Sequence, residues 1–158
     1  MKNLVIRRAT LNDLKDIQEL NLGLFDYEME YDYDTYIHGW SMGQISADYF
    51  AELINNEFVI VAVINNETVG YLAGSVYHDE TYSYYEGLTA ELDNMFIKED
   101  YRKFGIGSKM MNAFLDWTKK ENAKRVLVTA SIGNDNTVKF YEKHGFKKLN
   151  VTLRKDIK

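Results

Sequence analysis

The 158-residue sequence has no cysteine and no proline. Without cysteine there is no disulfide framework, no thiolate metal site and no cysteine nucleophile. Without proline, turns must rely on glycine, asparagine and aspartate. Histidine is scarce, and His38, His78 and His144 are scattered, so no metal is expected. An excess of basic residues is lacking as well. The 19 Lys and Arg against 24 Asp and Glu leave a formal charge of -5, which argues against nucleic-acid binding through the overall field. No apolar run approaches the ~20 residues that cross a bilayer. Met1-Lys2-Asn3-Leu4 leads straight into an alternating segment instead of a signal-peptide core. A cytoplasmic location with no membrane partner is the expectation.

What is present is enough for one domain over residues 1–158. Hydrophobic residues make up 46% of the chain, with 12 Tyr and 8 Phe, which disfavours disorder. Leu4 to Arg8 alternates as a short strand, and Thr10 with Asp13 reads as a helix start. Leu11, Leu14, Ile17, Leu20 and Leu24 give a first helix to about Phe25. Acids and tyrosines interleave from Asp26 to Tyr36, either as a solvated helix end or as a wall for a cationic ligand. A loop continues through His38, Gly39 and Trp40, and Ser46 to Ile54 has one apolar helical face. Strands are expected at Phe58 to Ile64 and Val69 to Tyr77, joined by a tight hairpin at Asn65-Asn66. His78 to Gly87 reads as a longer turn and Leu88 to Ile97 as the fourth strand.

The most informative stretch follows that strand: Arg102-Lys103-Phe104-Gly105-Ile106-Gly107-Ser108. The stripe Ile106, Met110, Phe114 and Trp117 marks a long helix starting near Gly105. Two glycines at a loop-to-helix junction let the backbone approach a ligand closely. The first helical N–H groups lack intrahelical partners beside the positive end of the macrodipole. Together these make an anion site suited to phosphate, with Arg102 and Lys103 at its lip. A dinucleotide fingerprint needs a third glycine where Met110 stands, and a Walker loop needs Gly-Lys-Ser/Thr where Gly107 precedes Ser108-Lys109. Neither fits. Arg125 to Ala130 then reads as a fifth strand covered on both faces. A last helix carries Val138, Phe140 and Tyr141 and stops at Gly145, and Phe146 to Leu153 supplies one or two final strands.

In this order of elements, the Arg-x-x-Gly-x-Gly loop, Asn134, Tyr141 seven residues later and Gly145-Phe146 fall at one family's spacing. The sequence resembles the GNAT superfamily of acyl-CoA-dependent N-acetyltransferases. The resemblance implies an α/β fold with a mixed, mostly antiparallel sheet of six to seven strands and about four helices. It also implies a V-shaped splay between the fourth and fifth strands. Acetyl-CoA would be the co-substrate, with its pyrophosphate on Arg102, Lys103, Phe104, Gly105, Ile106, Gly107 and Ser108. Its pantetheine arm would pair with Met95, Phe96 and Ile97, near a strand bulge whose N–H polarises the acetyl carbonyl. Asn134 matches a coenzyme contact, with helix capping an equally good use of an asparagine there. Tyr141 matches the acid that protonates the departing thiolate. Acetyl transfer to an amine also needs a proton acceptor. Glu91 and Asp93, two apart on the fourth strand, are the candidates. The expected function is N-acetyltransfer to a primary amine by direct attack in a ternary complex, with a homodimer common in the family. A non-catalytic acyl-CoA-binding module is the alternative.

Overall fold

The computed structural model describes residues 3–31, 39–78, 87–155 and 157. Its sheet is organised around β2 (Phe58–Ile64), whose residues are nearly all buried because both faces are covered. The remaining strands are β1 (Leu4–Arg8), β3 (Glu67–His78), β4 (Leu88–Ile97) and β5 (Arg125–Val128), in the order β1-β2-β3-β4-β5. Pairing is antiparallel except for the parallel β4–β5 pair. The helices are α1 (Leu14–Glu28), α2 (Gln44–Asn56), α3 (Ile106–Lys120) and α4 (Asp135–Lys143). The β2–β3 hairpin turns on Asn65 and Asn66, with φ of 50° and 65°. Both sit in the left-handed region that asparagine tolerates and that a two-residue hairpin loop requires.

Period-two alternation sends the two faces of the sheet into two cores. One contains Ile60, Ala62, Leu72, Ala90 and Leu92 with Ile106, Met110 and Phe114 of α3. The other contains Val59, Val61, Tyr71 and Ala73 with Ile17 and Leu20 of α1 and Phe50 of α2. Before α1, Asp13 bends back to accept from the Thr10 backbone N–H at 2.8 Å and from both Arg7 guanidinium nitrogens at 2.8 Å. Hydrogen bonding from Arg7 leads the causes that hold the Asp13 carboxyl down at about 2.

Two expectations need correction. Phe146 to Leu153 forms no strand, so five strands are found among the described residues instead of six to seven. Its alternating pattern is real, but its apolar side chains beyond Phe146 are exposed, with Leu149 at 66% and Leu153 at 89%. Alternation makes a strand only where a sheet edge accepts it. For the same reason β5 is half-buried throughout instead of covered on both faces, because no described strand lies beyond it. It also ends at Val128, two residues short of the expected Ala130.

β3 and β4 are not in uniform register. Ala73 faces Asn94 while Gly74 faces Leu92, leaving Asp93 as the extra residue of a bulge. Gly74 sits at this irregularity. A Cβ there would lie 2.4 Å from Phe114 Cε2 and 2.7 Å from the Glu91 carbonyl oxygen. The Gly74→Ala variant is therefore expected to lose about 1–3 kcal/mol of stability through overpacking. A lowered urea midpoint with an unchanged m-value will show it.

Candidate active site

The site is made by two strands that part. β4 pairs with β5 only from Thr89 to Leu92, and Asp93 to Ile97 continue without a β5 partner. An extended segment with one edge free can pair with another amide-bearing chain. Met95, Phe96 and Ile97 lie on this free stretch and are half-buried. The bulge falls at Asp93, two residues before the expected position beside Met95 and Phe96. Its place depends on the register with β3, which no single strand encodes.

After β4 the chain makes a short 3-10 turn, Glu99–Tyr101, and enters the glycine loop. Lys103 and Gly105 both take left-handed backbone angles, with φ of 66° and 79°. Gly105 caps α3 and offers no side-chain acceptor, and the first turn holds no acidic residue. The first backbone bond of α3 runs from Lys109 N–H to the Gly105 carbonyl at 3.1 Å, which leaves the N–H groups of Ile106, Gly107 and Ser108 outside the helical ladder. Nothing in that turn offsets the positive end of the helix. Gly107 is needed for a different reason. A Cβ there would meet Met95 Cε at 3.2 Å, Ile97 Cδ1 at 3.3 Å and Phe140 Cε2 at 3.4 Å, so glycine lets α3 close on β4 and α4.

Ile106 is buried beneath the loop, whereas Lys103 and Phe104 are exposed and Ser108 is half-buried. Arg102 departs from its expected place at the lip. Its Nε donates to the Ile97 carbonyl at 2.8 Å, and its guanidinium lies 4.8 Å from the Tyr27 ring centre and 5.1 Å from that of Phe96. This is cation–π packing between α1 and β4.

Glu91 and Asp93 share a face of β4 with Tyr49 of α2. Burial first, then the charges of Asp93 and Glu91, push the Tyr49 phenol up to about 12. Glu91 stands opposite Ser75 in the sheet register. Asp93 is the more unusual group. Ser75 hydrogen-bonds its carboxylate, yet Oδ2 is buried with no partner among the described residues. Burial raises the Asp93 carboxyl to about 6, with smaller contributions from Glu91 and Glu57, against the lowering effect of Ser75. A carboxylate poised near neutrality with a free oxygen is equipped to accept a proton.

Tyr141 lies on α4 between the rings of Phe140 and Phe146, at 5.5 and 5.6 Å. Burial, then the charge of Glu28, raises its phenol above the ordinary value, so the hydroxyl keeps its proton. Asn134 is fully buried and caps α4 by accepting from Thr137 N–H at 3.2 Å. Part of the expected ligand wall, Asp32 to Tyr36, and His38 lie outside the described residues. His144 closes α4, with Nδ1 2.8 Å from the Phe140 carbonyl oxygen. Sequence reasoning did not single out Glu28, Tyr49 or Ser75. Glu28 stood within the acid–tyrosine tract, but nothing local separated it from its solvated neighbours.

The Acetyltransferase (GNAT) family model matches residues 18–146. The chain belongs to this acetyltransferase family. An uncharacterised N-acetyltransferase of Methanocaldococcus jannaschii is 26% identical over 96% of the chain, which spans 64% of that relative's length. A mutant Bacillus halodurans protein superposes with a TM-score of 0.85 at 17% identity, over 97% of this chain and 99% of that one. The aminoglycoside N-acetyltransferase AAC(6')-Iy, solved with coenzyme A, gives a TM-score of 0.76 at 14% identity, over 98% and 95% of the two chains. The GNAT fold accounts for the parted strands and for the glycine loop at their end. Among the described residues no cluster of His, Cys, Asp and Glu is arranged to hold a metal ion, and no helix is long and apolar enough to cross a membrane.

The raised Asp93 carboxyl has a consequence for stability. Folded, it keeps its proton to about pH 6, whereas an unfolded aspartate loses it near about pH 3.9. Between those values the folded chain binds more protons, so this group lowers stability as the pH rises through that window. Asp93→Asn removes the penalty. At pH 8 the variant is expected to be about 1 kcal/mol more stable than wild type, after allowing for partial exposure, with the difference closing below about pH 4. Urea denaturation at both pH values measures it.

Proposed function

We propose that this GNAT chain transfers the acetyl group of acetyl-CoA to a primary amine by direct attack, with both substrates bound together. The observation that carries the reading is the buried Asp93 carboxylate, one oxygen free, where β4 leaves β5. When bound, acetyl-CoA supplies an acetyl group activated as a thioester. The protein groups available to hold it fit its chemistry. The uncapped N–H groups at the start of α3 and the exposed Lys103 suit a pyrophosphate, and no acid of the first turn opposes it. The free edge of Met95, Phe96 and Ile97 suits the amides of a pantetheine arm. Arg102 closes the loop against Ile97, and Asn134 stands at the start of α4.

Asp93 takes the proton from the incoming ammonium, directly or through water, with Glu91 as the second carboxylate on that face. Tyr141 donates its proton to the departing sulfur, and its raised phenol pKa keeps that proton in place at neutral pH. The chain has no cysteine, so an acyl-cysteine intermediate is closed to it. A cationic amine is the favoured acceptor, because Glu91, Asp93 and the acidic tract from Asp26 onward attract positive charge. The aminoglycoside acetyltransferase among the structural neighbours acts on acceptors of that kind.

Acetylation of an amine panel, followed by free-thiol release from acetyl-CoA, tests the reading. Tyr141→Phe is expected to lower kcat about a hundredfold while coenzyme affinity, measured by calorimetry, stays within threefold of wild type. For wild type, kcat/KM for the amine should rise through about pH 6 as Asp93 ionises, and Asp93→Asn should lose that limb. If no amine in the panel is acetylated, a non-catalytic coenzyme-binding role takes the place of this one.

A further inference from the structure

The last turn of α1 reaches both banks of the cleft. On the β4 side, Tyr27 carries the Arg102 guanidinium on its ring. On the α4 side, the Tyr27 hydroxyl donates to Asn134 Oδ1 at 3.4 Å. Glu28 uses both carboxylate oxygens there. Oε2 accepts from Ser131 Oγ at 2.6 Å, and Oε1 accepts from Asn134 Nδ2 at 3.3 Å. Tyr31 packs beside Gly133, where a Cβ would meet its Cδ1 at 3.3 Å. A single turn of helix thus links the glycine loop to the β5–α4 turn, beyond the point where the sheet stops holding them together.

Asn134 is the node of this link. A side-chain amide has one donor end and one acceptor end, and both are committed here. Glu28 takes the NH₂ group, which directs the carbonyl to Thr137 N–H and caps α4. Tyr141 follows seven residues later on the same helix, about two turns along. Glu28 also lies close enough to Tyr141 for its charge to raise the phenol. A solvated helix-end glutamate would leave its oxygens to water. Glu28 instead commits both to residues more than 100 positions away in the chain.

The geometry points to Glu28 as a positioning residue for acetyl transfer. It locks the Asn134 cap and so holds α4, with Tyr141, against the end of α1. The inference rests on the assignment of Tyr141 as the acid, and the test separates the two. Glu28→Ala removes both acceptor oxygens and leaves the Asn134 amide free to turn. At saturating acetyl-CoA its kcat is expected to fall at least tenfold, with coenzyme affinity within threefold of wild type and a cooperative melting transition retained. Glu28→Gln is the conservative control: its carbonyl can accept from Asn134 Nδ2 while its NH₂ donates to the Ser131 hydroxyl, so the charge is lost and the orientation of Asn134 is kept. Its kcat at saturating acetyl-CoA is expected to recover to within threefold of wild type. Ser131→Ala removes only the other bond and should give a smaller fall than Glu28→Ala.

A Glu28→Ala kcat within twofold of wild type would overturn the inference. So would a Glu28→Gln loss as large as that of Glu28→Ala, since that would mean the charge itself, and not the orientation of Asn134, is what matters. Tyr141→Phe is measured alongside. An undiminished kcat there removes the acid assignment itself, whereas a loss there with an unaffected Glu28→Ala removes only the positioning role.

Discussion

The cleft of this protein depends on where β4 stops pairing with β5. The last pair is Leu92 with Val128, and the next residue of β4 is the bulged Asp93. The irregularity against β3 and the end of the pairing with β5 thus coincide. Asp93 to Ile97 have a free edge on the β5 side, and a carboxylate stands at the head of that edge. A regular pleat would have carried the alternation straight through the cleft, with Asn94 on the opposite face. The bulge instead keeps Asn94 on the Tyr49 side, where its amide donates to the Tyr49 hydroxyl at 3.4 Å.

The opening costs stability, and the structure shows where. Strand pairing is lost over half of β4, and Asp93 keeps a buried oxygen without a partner. Apolar packing around the divergence offsets this. Leu92 and Ala90 sit in the α3-side core, with Met95, Ile97, Phe140 and Tyr141 packed against it. Such a trade fits a site that must receive a chain between two strands, because a fully paired sheet has no room for one.

Beyond the sheet, the cleft is held by side chains of α1. Arg102, Tyr27, Asn134 and Glu28 form a chain of contacts from β4 to α4 in which each group is used more than once. Networks of this kind fix orientation as well as adding stability, because an amide or carboxylate committed at both ends has one arrangement. The glycine loop and the start of α4 are thereby parts of one framework, joined through α1 outside the hydrophobic core.

The sequence alone determined the parts that rest on short-range rules. The α3 stripe from Ile106 to Trp117 and the Asn65-Asn66 turn depend on neighbours a few residues away, and both formed as read. The glycine loop was legible too, since glycine and an uncapped helix start are local facts. Tertiary structure decided what depends on distant partners. Phe146 to Leu153 has a strand's alternation but pairs with no strand, and Arg102 lies over the Tyr27 ring of a distant helix. The bulge at Asp93 is a property of two strands in register, and Glu28 meets its partners Ser131 and Asn134 only when folding brings them together. Backbone propensity is written residue by residue, whereas hydrogen-bond partners across the chain exist only once the fold has closed.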